Sequence, residues 1–378
     1  MREQIQAFVN ENIDEVYKII YDLCQIPAPS GHEQKRAEYC KNWFIENGMS
    51  EAYIDDALNV IYPYQASNSA DLTVFEAHTD TVFPDTEPMP YIDDGEFIRA
   101  PGVGDDTASV AALMLCAKYF TINNVATRGV LFVCNSCEEG LGNLKGTREI
   151  FKTFEGRIGR LVSFDAGRFV YSCDRCVGSH RYEITATTAG GHSWGKFGTK
   201  NAIAALAEIV TKIYATEIPK KEGKKLTYNV GTISGGTSVN TIAQNATMLC
   251  EYRSDDVELL AYMKEQFHKI FDETRSDEVQ IDVKLVGDRP CASDKVDEAG
   301  LEKLRQATRR AVKEVTGEEK VFGSSSTDCN IPMSLGIPAI TIGTYIGSGA
   351  HTREEWIRKD SVPTGLEIAL LTVLDVVK

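Results

Sequence analysis

The sequence predicts an α/β protein: a domain with a largely parallel central sheet flanked by helices, carrying an inserted α+β ferredoxin-like lid domain. Three observations predict it. Strand-like and helix-like segments alternate up to about residue 175 and resume after 288. The stretch between them reads β-α-β-β-α-β. A length of 378 residues also exceeds what one core usually supports. The expected domains are therefore 1–175 with 288–378, discontinuous, and 176–287, inserted. No internal repeat or low-complexity tract is visible.

Each element follows from its residues. Ile13, Val16, Tyr17, Ile20 and Leu23 share one helical face, and Pro27 and Pro29 end that helix. A second helix is expected over 32–47, closed by Gly48, with Ser30 as its cap and His32 at its start. Short β-rich runs follow at 59–64 and 72–77, then an apolar helix at 106–120. The uninterrupted apolar strand 130–134 suits a sheet covered on both faces. A helix at 144–154 and a strand at 161–164 continue the alternation. In the insert, 181–188 alternates like a half-exposed strand; a helix at 201–214, strands at 226–233 and 246–252, a helix at 257–271 and a strand at 279–286 follow. A helix at 298–315, a short strand at 337–342 and a closing helix complete the chain.

Composition excludes several functions. With 40 Lys+Arg against 55 Asp+Glu, the formal charge is −15, and no basic stripe exists for a nucleic-acid backbone or an anionic membrane. No apolar run approaches the roughly 18 residues of a spanning helix. Arg2, Glu3, Glu11, Asp14 and Glu15 occupy the start, where a signal peptide would be basic and then apolar, so a cytoplasmic location is expected. Ten cysteines are too few for a disulfide scaffold, and Cys116, Cys134 and Cys250 sit in apolar segments as reduced thiols do. The pairs Cys134/Cys137 and Cys173/Cys176 lack the spacing of a zinc ribbon; buried thiols are the simpler reading, a Cys₄ zinc the rival.

Acids and imidazoles collect where strands end. The run 72–77 ends in His78-Thr79-Asp80; a turn at Gly102-Val103-Gly104 delivers Asp105-Asp106; 130–134 leads to Glu138-Glu139-Gly140; 161–164 ends in Asp165. Open α/β sheets bind ligands outside the carboxyl ends of their strands, so these four places converge on one crevice. His351, in a Gly-rich turn, is a fifth candidate. Singly, each has a plain explanation: Asp105 or Asp106 as a helix cap, Glu138-Glu139 as a solvated turn, a histidine as structure. Together, two imidazoles and several carboxylates suit divalent ions with mixed N/O ligation, one carboxylate bridging two ions about 3.5 Å apart. Of two adjacent acids, one can ligate while the other acts as general base.

At these residues the sequence resembles the di-zinc peptidases and amidohydrolases that include peptidase T, glutamate carboxypeptidase, aminoacylase and acetylornithine deacetylase. The resemblance spans nearly the whole chain, with its motifs in order. It implies His78, Asp105, Glu139, Asp165 and His351 as metal ligands, with Asp105 bridging and the Asp105-Asp106 bond cis; Asp80 orienting His78; and Glu138 as general base. In the insert, Gly191-His192-Ser193 resembles the lid segment whose His192 polarises the scissile carbonyl, usually from a neighbouring subunit, while Asn240 and Arg253 resemble substrate-binding residues. Glu355 matches a recurrent acid of open role. The resemblance further implies two divalent ions per subunit, zinc with cobalt or manganese as alternatives, and a homodimer formed through the lid. Asp165, where carboxypeptidases and deacetylases tend to have Glu, favours a di- or tripeptidase acting from the free amino end of a short peptide. Hydrolysis of an N-acyl amino acid, or carboxypeptidase action, is the alternative. Two departures, Thr107 in place of Lys and no Pro within 194–198, fall where side chains near the substrate are expected.

Rival readings are sparser. Gly191-His192-Ser193-Trp194-Gly195 satisfies G-x-S-x-G, with Asp328 and His351 following in the order of a serine hydrolase, but no buried strand precedes Ser193 and no helix follows directly. Residues 190–196 match most of a Walker A loop, yet Phe197 stands where Ser or Thr must hold Mg²⁺. A catalytically inactive binding protein is opposed by the presence of Glu138. His268 reads as part of a solvated helix face, and His180 stays open.

Overall fold

The computed structural model describes residues 2–378. The chain forms two compact units, Met1–Cys176 with Ser293–Lys378, and Val177–Ala292.

In the first unit, strands run in the order Tyr53–Ile54, Val60–Tyr64, Val130–Asn135, Leu72–His78, Ile158–Ser163, Ala339–Thr341. The last four are mutually parallel, and the first two join antiparallel. Every residue of Leu72–His78 and Val130–Asn135 is buried, which explains their continuous apolar character: both faces are covered. The register pairs His78 with Asn135 and Glu76 with Ser163, so these three strands end at one edge. Helix Ser109–Asn123, buried almost all round, packs across Leu72–His78 and Val130–Asn135 and against helices Arg2–Cys24 and Ser361–Val376. One apolar cluster joins these elements.

The second unit has its own core. Its sheet runs Leu226–Gly235, Asn245–Ser254, Gly178–Thr187, Gln280–Arg289, with every neighbour antiparallel. Strand Asn245–Ser254 buries alternate residues beneath helices Ala202–Tyr214 and Val257–Thr274. Asn201 caps the first helix through Ile203 N and Ala204 N, and Asp256 caps the second through Leu259 N. This strand order is the ferredoxin-like arrangement that the β-α-β-β-α-β pattern predicts.

Two local expectations are corrected. The helix expected from residue 106 begins at Ser109, because Val103–Ala108 forms an irregular turn containing the cis Asp105-Asp106 peptide. The second helix begins at Gln34 without a side-chain cap; Ser30 instead donates its hydroxyl to Asp80 Oδ2 at 2.5 Å. A small antiparallel sheet of Gly347–Ser348, Trp356–Arg358, Phe97–Arg99 and Ile92–Asp93 escapes sequence reading, since strands of two or three residues carry no periodicity. Among the described residues, no helix is long and apolar enough to cross a membrane.

One close approach tests this packing. A Cβ on Gly365, in helix Ser361–Val376, would overlap the Thr344 carbonyl oxygen, whereas one on Gly323 would meet nothing within 4 Å. Gly365→Ala is expected to destabilise the protein by about 3 kcal/mol or more, and Gly323→Ala by less than about 0.5 kcal/mol, in denaturant unfolding. Equal midpoints for the two variants would contradict the packing described.

Candidate metal centre

The edge where the parallel strands end supplies most of the polar side chains that the sequence singles out. His78 is the last residue of its strand, Asp80 lies two residues on, and Glu138-Glu139 follow Val130–Asn135. Asp165 follows Ile158–Ser163. Asp105 comes from the irregular turn Val103–Ala108, and His351, at φ 66°, from the turn between Gly347–Ser348 and Trp356–Arg358.

These residues converge. Asp105 Oδ1 lies 3.0 Å from His78 Nε2, and its Oδ2 lies 3.1 Å from His351 Nε2. His351 Nε2 also lies 3.1 Å from Glu139 Oε1. Three groups offer ligand atoms within 4.8 Å of one another and could hold a metal ion: His78, Asp105, Asp165; His78, Glu138, Glu139; and Asp105, Glu139, His351. The donors are imidazole nitrogens and carboxylate oxygens without a thiolate, a set suited to zinc, cobalt or manganese.

The electrostatics also fit a cationic guest. Hydrogen bonds to Asp105 and Glu139 push His351 up to about 10. Burial acts to lower the His78 pKa, but Asp106, Asp105 and Asp80 outweigh it and hold His78 well above its ordinary range. Burial, then the charge of Asp105, pushes Asp165 up to about 7, and burial raises Asp106. Burial thus favours the protonated forms of Asp165 and Asp106, whereas for Asp105 the hydrogen bonds to His351 and His78 outweigh burial and hold its carboxyl below the usual range.

Buried carboxylates hold the turns in place. Asp80 accepts Glu138 N at 3.0 Å, Glu139 N at 2.9 Å and the Ser30 hydroxyl, while His78 Nδ1 lies 3.5 Å from Asp80 Oδ1 and 3.1 Å from Asp80 O. Asp106 Oδ2 accepts His78 N at 3.1 Å, so Asp106 supports the strand end. Sequence reasoning missed Glu33, fully buried, whose Oε1 accepts Gly31 N at 2.8 Å and Cys137 N at 3.0 Å. It also missed Arg36, which donates to Thr79 O at 2.9 Å and Thr107 Oγ1 at 3.3 Å. Neither carries a motif; only an acid and a base in an otherwise amphipathic helix start hinted at them. Thr107 is fully buried against Arg36, which corrects the expectation that it faces substrate.

Gly191–His192 pairs with Thr241–Ile242, and Ser193 N donates to Asn240 O at 2.9 Å, so His192 and Asn240 are neighbours. Trp194 N and Gly195 N both donate to His192 Nδ1 at 3.3 Å. Arg253 lies near the far end of strand Asn245–Ser254 and shares its guanidinium with Glu251 at 2.8 and 3.1 Å. His180 bonds Tyr252 Oη at 2.6 Å.

The rivals lose their partners. Asp328 accepts Asn135 Nδ2 and Thr147 Oγ1, both at 2.6 Å, while His351 faces Asp105 and Glu139, so each is engaged elsewhere. All ten cysteines are free, and among the described residues none joins a candidate metal group.

The sequence and the fold match known proteins. Residues 74–375 match the profile described as Peptidase family M20/M25/M40. The uncharacterized protein YqjE of Bacillus subtilis (strain 168) is 21% identical over 362 residues, which cover 88% of this chain and 91% of that protein. The aminopeptidase PepT from Bacillus cereus superposes with a TM-score of 0.73 at 18% identity, covering 97% of this chain and 99% of that one. The YXEP protein of Bacillus subtilis, a dinuclear metal-binding peptidase, gives 0.63 at 16%, covering 98% and 99%. Such structural likeness speaks for the fold, whereas the profile match extends over most of the sequence. The chain belongs to peptidase family M20/M25/M40 and is a hydrolase.

Proposed function

We propose that the protein is a di- or tripeptidase that cleaves short peptides from a free amino end, using two divalent ions, zinc first among them. The observation that carries this reading is Asp105, whose two oxygens each face a different imidazole, His78 at 3.0 Å and His351 at 3.1 Å. One ion would be held by His78, Asp105 and Asp165, the other by Asp105, Glu139 and His351. Bound there, such a pair supplies Lewis acidity, acidifying a water and polarising a carbonyl.

The chain's own residues do the rest. Glu138 takes the proton of the attacking water on its carboxylate and returns it to the leaving nitrogen, while Asp80 fixes the Glu138 backbone and orients His78. Accepting two amides at Nδ1 places the neutral proton of His192 on Nε2, where it can be donated to the scissile carbonyl oxygen. Asn240 and Arg253 bind the substrate. Asn245 and Arg253 are eight residues apart on one strand, about 26 Å at 3.3 Å per residue. For both the His192–Asn240 end and Arg253 to touch one short peptide, two copies of the unit are required. The edge strand Leu226–Gly235, mostly exposed and without a partner on its outer side among the described residues, offers the homodimer a surface. The amino-end preference rests on Asp165 and the resemblance to peptidase T; hydrolysis of N-acyl amino acids is the second reading. Cytoplasmic placement belongs to the same proposal.

Three outcomes test it. Glu138→Gln should retain both ions and lose about 10³-fold in kcat, whereas His78→Ala or Asp165→Ala should each lose one ion; equal metal content in all three by elemental analysis would discard the ligand assignment. Ligands must be deprotonated, and His351 sits at about 10 without metal, so ion uptake at pH 7 should release protons and apparent affinity should rise from pH 6 to 8. Calorimetry in two buffers of different ionisation enthalpy reads this, and buffer-independent heats would contradict it. Finally, peptides with a free amino end should be cleaved and N-blocked ones spared, with chelator abolishing turnover; preferential cleavage of N-acyl amino acids would establish the second reading.

A further inference from the structure

We infer that Glu355 is a positioning residue that fixes Asp105 in the orientation in which Oδ1 faces His78 and Oδ2 faces His351; this rests on the two-ion reading above. Its carboxylate reaches some 250 residues back in sequence. Oε2 accepts Gly102 N at 2.6 Å, and Oε1 accepts Gly104 N at 2.9 Å and Asp105 N at 2.8 Å. Its backbone oxygen accepts Ala100 N at 3.2 Å. The residue is 2% exposed, so these bonds face little competition from water.

The placement is specific to Asp105. Trp356 pairs with Arg99 and Ile357 with Ile98, so the strand leaving Glu355 is zipped to the strand entering the 100–105 turn. The same turn that carries Glu355 carries His351, whose Nε2 meets Asp105 Oδ2 at 3.1 Å. Asp105 is thus gripped at its backbone by Glu355 and at its carboxylate by His351. A carboxylate can satisfy three amides because both oxygens accept. An amide in its place turns one side into a donor facing a donor, at either Gly102 or Gly104 and Asp105. Freed to rotate, the turn would no longer hold Asp105 Oδ1 toward His78 and Oδ2 toward His351 together.

The test is zinc titration of the full-length protein by calorimetry, with the metal-free melting temperature read in parallel. Glu355→Gln should bind the pair of ions at least about tenfold more weakly than wild type. Glu355→Asp, which keeps the charge but withdraws both oxygens by one methylene, should be weakened as well, which separates geometry from loss of charge. It also replaces Glu355→Gln if that variant does not fold. A purely structural role would lower the metal-free melting temperature and leave both zinc affinities unchanged, and that result overturns the inference. Wild-type protein that takes up no zinc would instead sink the two-ion reading itself.

Discussion

Buried carboxylates accepting backbone amides are the constraint on which the centre depends. Asp80 holds Glu138 and Glu139, Glu33 holds Cys137, Asp106 holds His78, and Glu355 holds Gly102, Gly104 and Asp105. Hydrogen bonds of this kind each contribute about 0.5–1.5 kcal/mol, and about 1.5–3 kcal/mol where the carboxylate is ionised. They let loops, ordinarily the mobile part of a fold, present side chains with the precision of a strand. The arrangement has a cost: it crowds acids into a dry edge with Arg36, His78 and His351 as the nearby cationic groups. The raised pKa values of Asp165 and His351 express that crowding, and bound divalent cations would relieve it.

The fold supplies the convergence. Parallel strands deliver their carboxyl ends to one edge, so His78, Asp80, Glu138, Glu139 and Asp165 gather there, and the turn Val103–Ala108 adds Asp105. The small sheet containing Trp356–Arg358 then brings the last contributor, His351, from near the end of the chain. The separate core of the second unit frees its surface, including His192 and the edge strand, for roles other than holding the fold together.

Much of this was legible in sequence for a physical reason. Long, strongly patterned segments such as Leu72–His78, Ser109–Asn123 and the ferredoxin-like strands declare themselves by periodicity or by continuous apolarity. The strand-end acids stood out because polar residues at the end of a buried run need a reason. What stayed hidden acts through backbone contacts. Glu33 and Arg36 lie in a helix start without a motif, Ser30 reads as a cap, and Glu355 matches a recurrent acid whose role the sequence leaves open, yet each touches the centre through a main-chain amide, a carbonyl or a neighbouring acid. Thr107 looked like a substrate-facing departure because only three-dimensional packing shows Arg36 behind it.

The central claim is a shared carboxylate between two cation sites, and anomalous diffraction at the zinc absorption edge from zinc-loaded crystals addresses it most directly. The account predicts two peaks about 3.5 Å apart, one among His78, Asp105 and Asp165 and the other among Asp105, Glu139 and His351, with one Asp105 oxygen on each. A single peak, or two peaks of which Asp105 touches only one, would contradict it.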